Sequence, residues 1–257
     1  MNIPFFKFDG AGNDFVVIDN REGLFSLDTE EIVRICHRRF GVGADGLMTL
    51  SMVDGYDFRM DYYNSDGRLG SMCGNGGRCI AAFAHTLGLG TKLHFLGYDG
   101  PHDADILAWD GRIGLVRLGM RSVPADGVQR MLDGWFLDTG SPHYVQRVND
   151  LEHYNVVGEG RRLRQMADVF PEGTNVDFIE DLPDGRLMVR TYERGVEDET
   201  WACGTGVTAC AIVTGNHRLV TRGGDFRVDF TPTGTAYEQV KLTGPVSLDF
   251  SGTWSYS

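Results

Sequence analysis

Lysine is scarce in this chain. Only Lys7, Lys92 and Lys241 occur among its 257 residues. None stands in a glycine loop suited to a phosphate, and no P-loop pattern is present, which argues against a lysine–pyridoxal Schiff base and against nucleotide chemistry. No apolar run reaches 18 residues and residues 1–7 lack the order of a signal peptide, so a cytoplasmic location is expected. There is no Lys/Arg-rich stretch either. With 36 acidic and 24 basic side chains the formal charge is −12, and nucleic acid and anionic membrane are poor partners. The five cysteines, Cys36, Cys73, Cys79, Cys203 and Cys210, are odd in number and form no Cys-x-x-Cys. A disulfide framework and a structural zinc site are therefore not expected, because the spacings of six and seven between neighbouring cysteines are too wide. The chain reads as free of both metal and cofactor.

What it does have is a thiol at the head of a glycine-rich helix start, twice. Cys203-Gly204-Thr205-Gly206 precedes Val207, Ala209, Ala211, Ile212 and Val213; Cys73-Gly74-Asn75-Gly76 precedes Ile80, Ala81, Phe83, Ala84 and Leu87. First-turn N–H groups lack intrahelical partners and the helix dipole favours negative charge there, so either spot could hold a thiolate or a carboxylate. The twin motifs belong to a repeat. At an ungapped offset of 130 residues Gly10 matches Gly140, Tyr62 matches Tyr192, Cys73 matches Cys203, Gly76 matches Gly206, and Val116 matches Val246.

The repeat predicts an α+β fold of two pseudo-symmetric domains, each a mostly antiparallel sheet wrapped around a central helix, with the active site in the cleft between them. The halves are placed at residues 1–122 and 123–257, the last residues being the segment that could cross back to the first half. Strands are expected at 5–8, 15–18, 47–50 and 58–63 in the first half, and at 135–138, 176–179 and 187–194 in the second. Asp28 is read as the cap of a helix through Cys36, a second-half helix is expected around Leu163 to Phe170, and Val123–Gly127 is read as a linker.

Two opposed thiols suit one reaction class. Inverting a stereocentre with an acidic hydrogen needs a base on one face and an acid on the other. A cysteine, with a free pKa of about 8.5 that its surroundings can shift, can serve as either. N–H groups around Gly74-Asn75 and Gly204-Thr205 could grip a carboxylate on the reacting carbon and stabilise the charge that spreads into it. Cys36, Cys79 and Cys210 read as small core hydrophobes.

Lys7-Phe8-Asp9-Gly10-Ala11-Gly12-Asn13-Asp14-Phe15, Asn64-Ser65-Asp66-Gly67, Met72-Cys73-Gly74-Asn75-Gly76, Gly140-Ser141-Pro142-His143, Thr174-Asn175-Val176 and Glu193-Arg194-Gly195 with Ala202-Cys203-Gly204-Thr205-Gly206 together resemble the diaminopimelate epimerase family over nearly the whole chain. The resemblance implies cofactor-free interconversion of LL- and meso-diaminopimelate, a step toward lysine and peptidoglycan cross-links. It assigns the acid–base roles to Cys73 and Cys203. Asn13, Asn64, Asn175 and Arg194 would hold the substrate, Gly74, Asn75, Gly204 and Thr205 the reacting carboxylate, and His143 and Glu193 would poise the thiols or bind the ammonium group. A small amino acid as partner and a homodimer follow from the same likeness. One departure is Ser141, where many members have Asn. Three other readings stand at this point: a proline or hydroxyproline racemase of similar two-cysteine design, a thiol redox protein cycling through a Cys73–Cys203 disulfide, and a catalytically dead binding module, against which the two intact cysteines speak.

Overall fold

The structure is a computed structural model that describes residues 2–70 and 73–255; Met72, which precedes the first Cys-Gly pair, lies outside the described residues. The chain forms two compact units, one comprising Met1–Leu118 with Gly244–Ser257 and the other Gly119–Thr243.

The first unit contains β1 (Asn2–Asp9), β2 (Asp14–Asp19), α1 (Thr29–Cys36), β3 (Gly46–Ser51), β4 (Phe58–Asn64), α2 (Gly74–Thr86), β5 (Lys92–Gly97), β6 (Gly100–Trp109) and β7 (Ile113–Gly119). The second contains β8 (Val123–Pro124), β9 (Gln129–Met131), β10 (Gly134–Asp138), β11 (Pro142–Arg147), α3 (Val156–Arg164), β12 (Asn175–Asp181), β13 (Leu187–Glu193), β14 (Asp198–Thr200), α4 (Gly204–Thr214), β15 (Arg218–Thr221) and β16 (Gly224–Pro232). A last strand, β17 (Ala236–Ser255), runs 20 residues. Its early residues pair with β16 and β8, and from Gly244 onward it pairs with β7 and β1. The pairings of the first unit thereby close a ring, β1–β2–β3–β4–β5–β6–β7–β17–β1. Closure leaves that sheet no bare edge for foreign strands.

The repeat seen in the sequence is a repeat of strand pairing. In the first unit β2 runs parallel to β3, β3 antiparallel to β4, and β4 parallel to β5. In the second β11 runs parallel to β12, β12 antiparallel to β13, and β13 parallel to β15. The helices α2 and α4 start 130 residues apart, at Gly74 and Gly204. Each is buried on nearly all sides, with Gly74 to Ala84 enclosed in α2 and Val207 to Ile212 in α4. A helix enclosed by a sheet must be largely apolar around its circumference, any buried polar side chain being hydrogen-bonded as Arg78 is to the Gly74 carbonyl and Asn75, and slim enough to fit. Runs of Gly, Ala and Cys meet both demands.

α1 forms as its cap predicts: the Asp28 carboxylate accepts from the Glu31 N–H at 2.8 Å, and Ile32, Ile35 and Cys36 turn inward. The helix expected around 163–170 lies upstream instead, over Val156–Arg164, capped by Asn155 accepting from the Gly158 N–H at 3.1 Å. Gly158 and Gly160 carry a propensity penalty of roughly 1 kcal/mol each, which conceals the helix in the sequence. Gly160 is there for contact, since a Cβ at that position would land on the Tyr192 side chain. The apolar spacing through Met166, Val169 and Phe170 is used all the same, by turns that pack against the Tyr144–Phe178–Tyr192 cluster. The segment read as a linker is β8 followed by a 3-10 turn, Ala125–Gly127. Among the described residues no helix is long and apolar enough to cross a membrane.

Candidate active site

In the first unit Cys73 is the N-cap of α2, in extended conformation (φ −100°, ψ 125°), and its side chain makes no capping bond. Its thiol donates to Asn13 Oδ1 at 3.5 Å, and Asn75 Nδ2 donates to the same oxygen at 3.5 Å. The orientation of both amides is fixed from behind. Asn13 Nδ2 donates to Asp45 Oδ2 at 2.7 Å, and Asn75 Oδ1 accepts from the fully buried Arg78 at 3.0 Å. Asp45 in turn is held by Arg38, which also grips Asp14 at 2.8 Å, while buried Lys7 donates to Asp14 at 2.6 Å and to the Gly43 carbonyl. Gly10 is needed where the chain passes α2, because a Cβ there would sit 2.9 Å from the Asn75 carbonyl oxygen. Asn64, the remaining substrate-binding candidate of this unit, is exposed at the end of β4, its Oδ1 accepting from the Tyr62 hydroxyl at 3.1 Å.

Burial pushes the Asp14 carboxyl up, but hydrogen bonds from Arg38 and Lys7 and their charges outweigh it and hold it at about 2. A carboxyl depressed in the folded state stabilises above its unfolded pKa, near 4, and that contribution is lost as pH falls toward 2. The stability advantage of the unaltered protein over Asp14→Asn is expected to shrink by roughly 1–2 kcal/mol across that window, allowing for partial exposure of the group. Denaturant midpoints of the two proteins at pH 5 and pH 2 measure it; a gap independent of pH would refute the assignment.

In the second unit Cys203 is the N-cap of α4 (φ −113°, ψ 113°), again with no side-chain capping bond, and is 8% exposed. Its sulfur lies 3.3 Å from Thr205 Oγ1, and Thr205 Oγ1 lies 2.9 Å from His143 Nε2. The other ring nitrogen, Nδ1, is 2.6 Å from Asp177 Oδ2, while Thr191 Oγ1 donates to Asp177 Oδ1 at 2.6 Å. His143, Asp177, Thr191 and Asn175 are all buried. The parallel pairing of β11 with β12 places His143 opposite Asn175, which brings the ring beside the carboxylate two residues farther on.

Asn175 is engaged on every side. Its Nδ2 donates to Ser141 Oγ at 2.6 Å and to the Pro142 carbonyl at 2.8 Å, and its Oδ1 accepts from the Arg194 N–H at 2.9 Å. It ties the 139–143 turn to the end of β13. The Arg194 guanidinium donates to the Glu172 carbonyl at 3.3 Å, and Glu193 Oε2 accepts from the Thr200 hydroxyl at 2.8 Å. Thr139 Oγ1 donates to the Thr205 carbonyl at 2.9 Å, anchoring the first turn of α4.

Burial pushes the Cys203 thiol well above its usual range, the carboxylates of Glu193 and Asp177 add to that, and the Thr205 hydroxyl and Gly206 N–H only partly oppose it. Cys203 is therefore held as a thiol. Burial likewise raises Cys79 and Cys210 well above the usual range and Cys36 to about 11. Those three are protonated core residues.

Sequence reasoning passed over Asp177, Thr191, Asp45, Arg38, Asp14 and Lys7. A signal existed for Asp177, a carboxylate flanked by Val176, Phe178 and Ile179 in a buried strand, because a charge in such a place must find a partner.

The diaminopimelate epimerase family profile matches residues 5–97 and 135–247. A diaminopimelate epimerase of Chlorobaculum tepidum is 42% identical to the chain, covering 95% of it and 98% of the relative. That of Flavobacterium psychrophilum is 40% identical, covering 96% and 98%. Among solved structures, a probable proline racemase of Agrobacterium radiobacter superposes with a TM-score of 0.71 at 16% identity, covering 99% of this chain and 93% of that one. The last likeness is one of fold. The two matched blocks each hold one Cys-Gly-x-Gly helix start, and with identity of this level over nearly full length the chain belongs to the diaminopimelate epimerase family.

Proposed function

We propose that the chain interconverts LL- and meso-diaminopimelate without a cofactor, with Cys73 and Cys203 as the two acid–bases. Beside family membership, the observation that carries this reading is that each unit presents a cysteine as the N-cap of an enclosed, glycine-headed helix with no side-chain cap. The cap position puts sulfur beside first-turn N–H groups that have no intrahelical partner. One thiolate removes the α-proton and the other thiol returns a proton to the opposite face. The N–H groups at Gly74-Asn75 and Gly204-Thr205 hold the α-carboxylate and stabilise the charge that develops in it. Asn13 offers its Oδ1 to the thiol or to the substrate ammonium. Arg194 suits the distal carboxylate, since a guanidinium binds it bidentately and a cyclic imino acid has no such group. Asn64, Asn175, His143 and Glu193 complete the set. Thiol chemistry needs reduced cysteines, which supports a cytoplasmic location. Assembly as a homodimer rests on the family likeness, and sedimentation reads it.

In heavy water with no added cofactor, LL-diaminopimelate is expected to give meso product carrying α-deuterium, followed by NMR. No exchange and no epimerisation by fully reduced protein would defeat the reading. Turnover of proline or hydroxyproline in its place would favour the racemase.

A further inference from the structure

A thiol enclosed like Cys203 cannot act as a base until its proton has somewhere to go. The carboxylates nearest in effect, Glu193 and Asp177, oppose ionisation, so the acceptor has to be reached by hydrogen bonds. A continuous line of them leaves the sulfur: Cys203 Sγ to Thr205 Oγ1 at 3.3 Å, Thr205 Oγ1 to His143 Nε2 at 2.9 Å, His143 Nδ1 to Asp177 Oδ2 at 2.6 Å, with Thr191 Oγ1 donating to Asp177 Oδ1 at 2.6 Å. We infer that Asp177 is a positioning residue that fixes the protonation of His143 and, through Thr205, makes the ring the acceptor for the proton Cys203 must shed. The inference rests on Cys203 being one of the two acid–bases and deepens that reading.

The polarity of the line follows from donor and acceptor chemistry. An ionised carboxylate only accepts, so Nδ1 carries the ring hydrogen and Nε2 is left with a lone pair. Both hydroxyls facing Nε2 can donate, that of Thr205 at 2.9 Å and that of Ser141 at 3.3 Å, while the Asn175 amide nitrogen at 3.5 Å spends its hydrogens on Ser141 and the Pro142 carbonyl. With Thr205 donating to Nε2, its oxygen accepts from the Cys203 S–H. In the transfer the S–H proton passes to the Thr205 oxygen as the Thr205 O–H proton passes to Nε2. One proton moves from sulfur to nitrogen, leaving thiolate, imidazolium and carboxylate, and the reverse steps restore the thiol. The carboxylate stabilises the imidazolium as it forms, and Thr191 occupies the carboxylate's other oxygen. Other ionisable groups near the line include Glu193 at the end of β13, bonded to Thr200, and Cys210, buried farther along α4. On β10, next to β11, Asp138 is exposed and faces Arg121.

The first test uses the unaltered protein with no substrate, so it stands apart from the identity of the substrate. Two-bond proton–nitrogen correlation of 15N-histidine protein at neutral pH is expected to show His143 protonated at Nδ1 and bare at Nε2. Absorbance near the thiolate band, taken as the difference from Cys203→Ala, reports the sulfur. A proton on Nε2 together with a protonated Cys203 overturns the inference; a proton on Nε2 with a Cys203 thiolate is the transferred state and supports it. The second test is Asp177→Asn, whose amide donates to Nδ1 and forces the hydrogen onto Nε2. The expected result is the reversed tautomer and a kcat lower by about 10²–10⁴-fold with KM little changed. If that variant does not fold, Thr205→Val removes the bridge while leaving the ring tautomer intact, and the same fall in kcat is expected. A folded variant of either kind with undiminished kcat overturns the inference. Absence of epimerisation by the unaltered protein, with the tautomer as expected, would instead count against the proposed substrate.

Discussion

Cys203→Ala and Cys73→Ala are each expected to lower kcat for diaminopimelate epimerisation by at least ~10⁴-fold, the upper range for a positioned acid or base. Inversion needs proton removal on one face and delivery on the other, so losing either group stops it outright. The surviving cysteine can still exchange the α-proton of one epimer on its own face. Each variant is therefore expected to wash deuterium into at most one of the two epimers and to form none of the other. A redox protein or a binding protein would show no such half-reaction. Cys203 is buried, but removing one sulfur costs only on the order of 1 kcal/mol, so the loss should occur in folded protein. Cys36→Ala gives the contrast: its thiol is raised to about 11 inside the Ile3–Ile32–Leu47 core, and its removal should leave kcat unchanged. Deuterium exchange and product chirality, measured on each variant under reducing conditions, decide the matter. Formation of both epimers by either of the first two variants would remove that cysteine from the mechanism.

Gly206→Ala is expected to destabilise the protein by about 1–3 kcal/mol and to lower kcat by ~10²-fold or more, although alanine is the better helix former by about 1 kcal/mol. The reason is the closeness of α4 to the buried pair behind it. A Cβ on Gly206 would press on Asp177 Oδ1 and stand 3.2 Å from His143 Cε1. Neither can withdraw, because each is held in a strand and the two are bonded to each other at 2.6 Å. The equivalent glycine of the other helix behaves differently. A Cβ on Gly76 would meet the Met48 sulfur at 3.2 Å, the end of a flexible side chain that can shift, so Gly76→Ala should change stability by less than about 1 kcal/mol. Thermal melting of both variants reads the contrast. A Gly206→Ala protein as stable and as active as the parent would show that the approach of helix to carboxylate has no consequence.

These two glycines mark how far the sequence can be read. The match of Gly76 with Gly206 at a fixed offset, like that of Cys73 with Cys203, is visible in the chain alone, and it leads to two similar units with a thiol at the head of each enclosed helix. The pattern is legible because its causes are local. A capping position, a first turn without side chains and a slim apolar helix each require particular residues within a few positions. The helix over Val156–Arg164 was not legible, since its glycines contradict local propensity and are explained only by close contacts, Gly158 with the capping Asn155 side chain and Gly160 with Tyr192. The return of β17 was legible only in outline, as last residues able to cross back: the crossing begins at Gly244, inside a strand of 20 residues that passes from one set of partners to another with no turn between Ala236 and Ser255.

The sequence by itself determined the two-unit α+β plan, the pair of helix-start cysteines and, by its motifs, the family. Only the tertiary structure decided what stands behind each thiol. Asn13 is oriented by Asp45, 32 positions along the chain, and His143 by Asp177, 34 positions along. Those partnerships are set by the register of parallel strands, β2 with β3 and β11 with β12. Register is fixed by burial across the whole sheet, and no short stretch of residues encodes it. Local chemistry thus marks where the sulfurs are, and long-range pairing determines which hydrogen-bonded groups stand behind them.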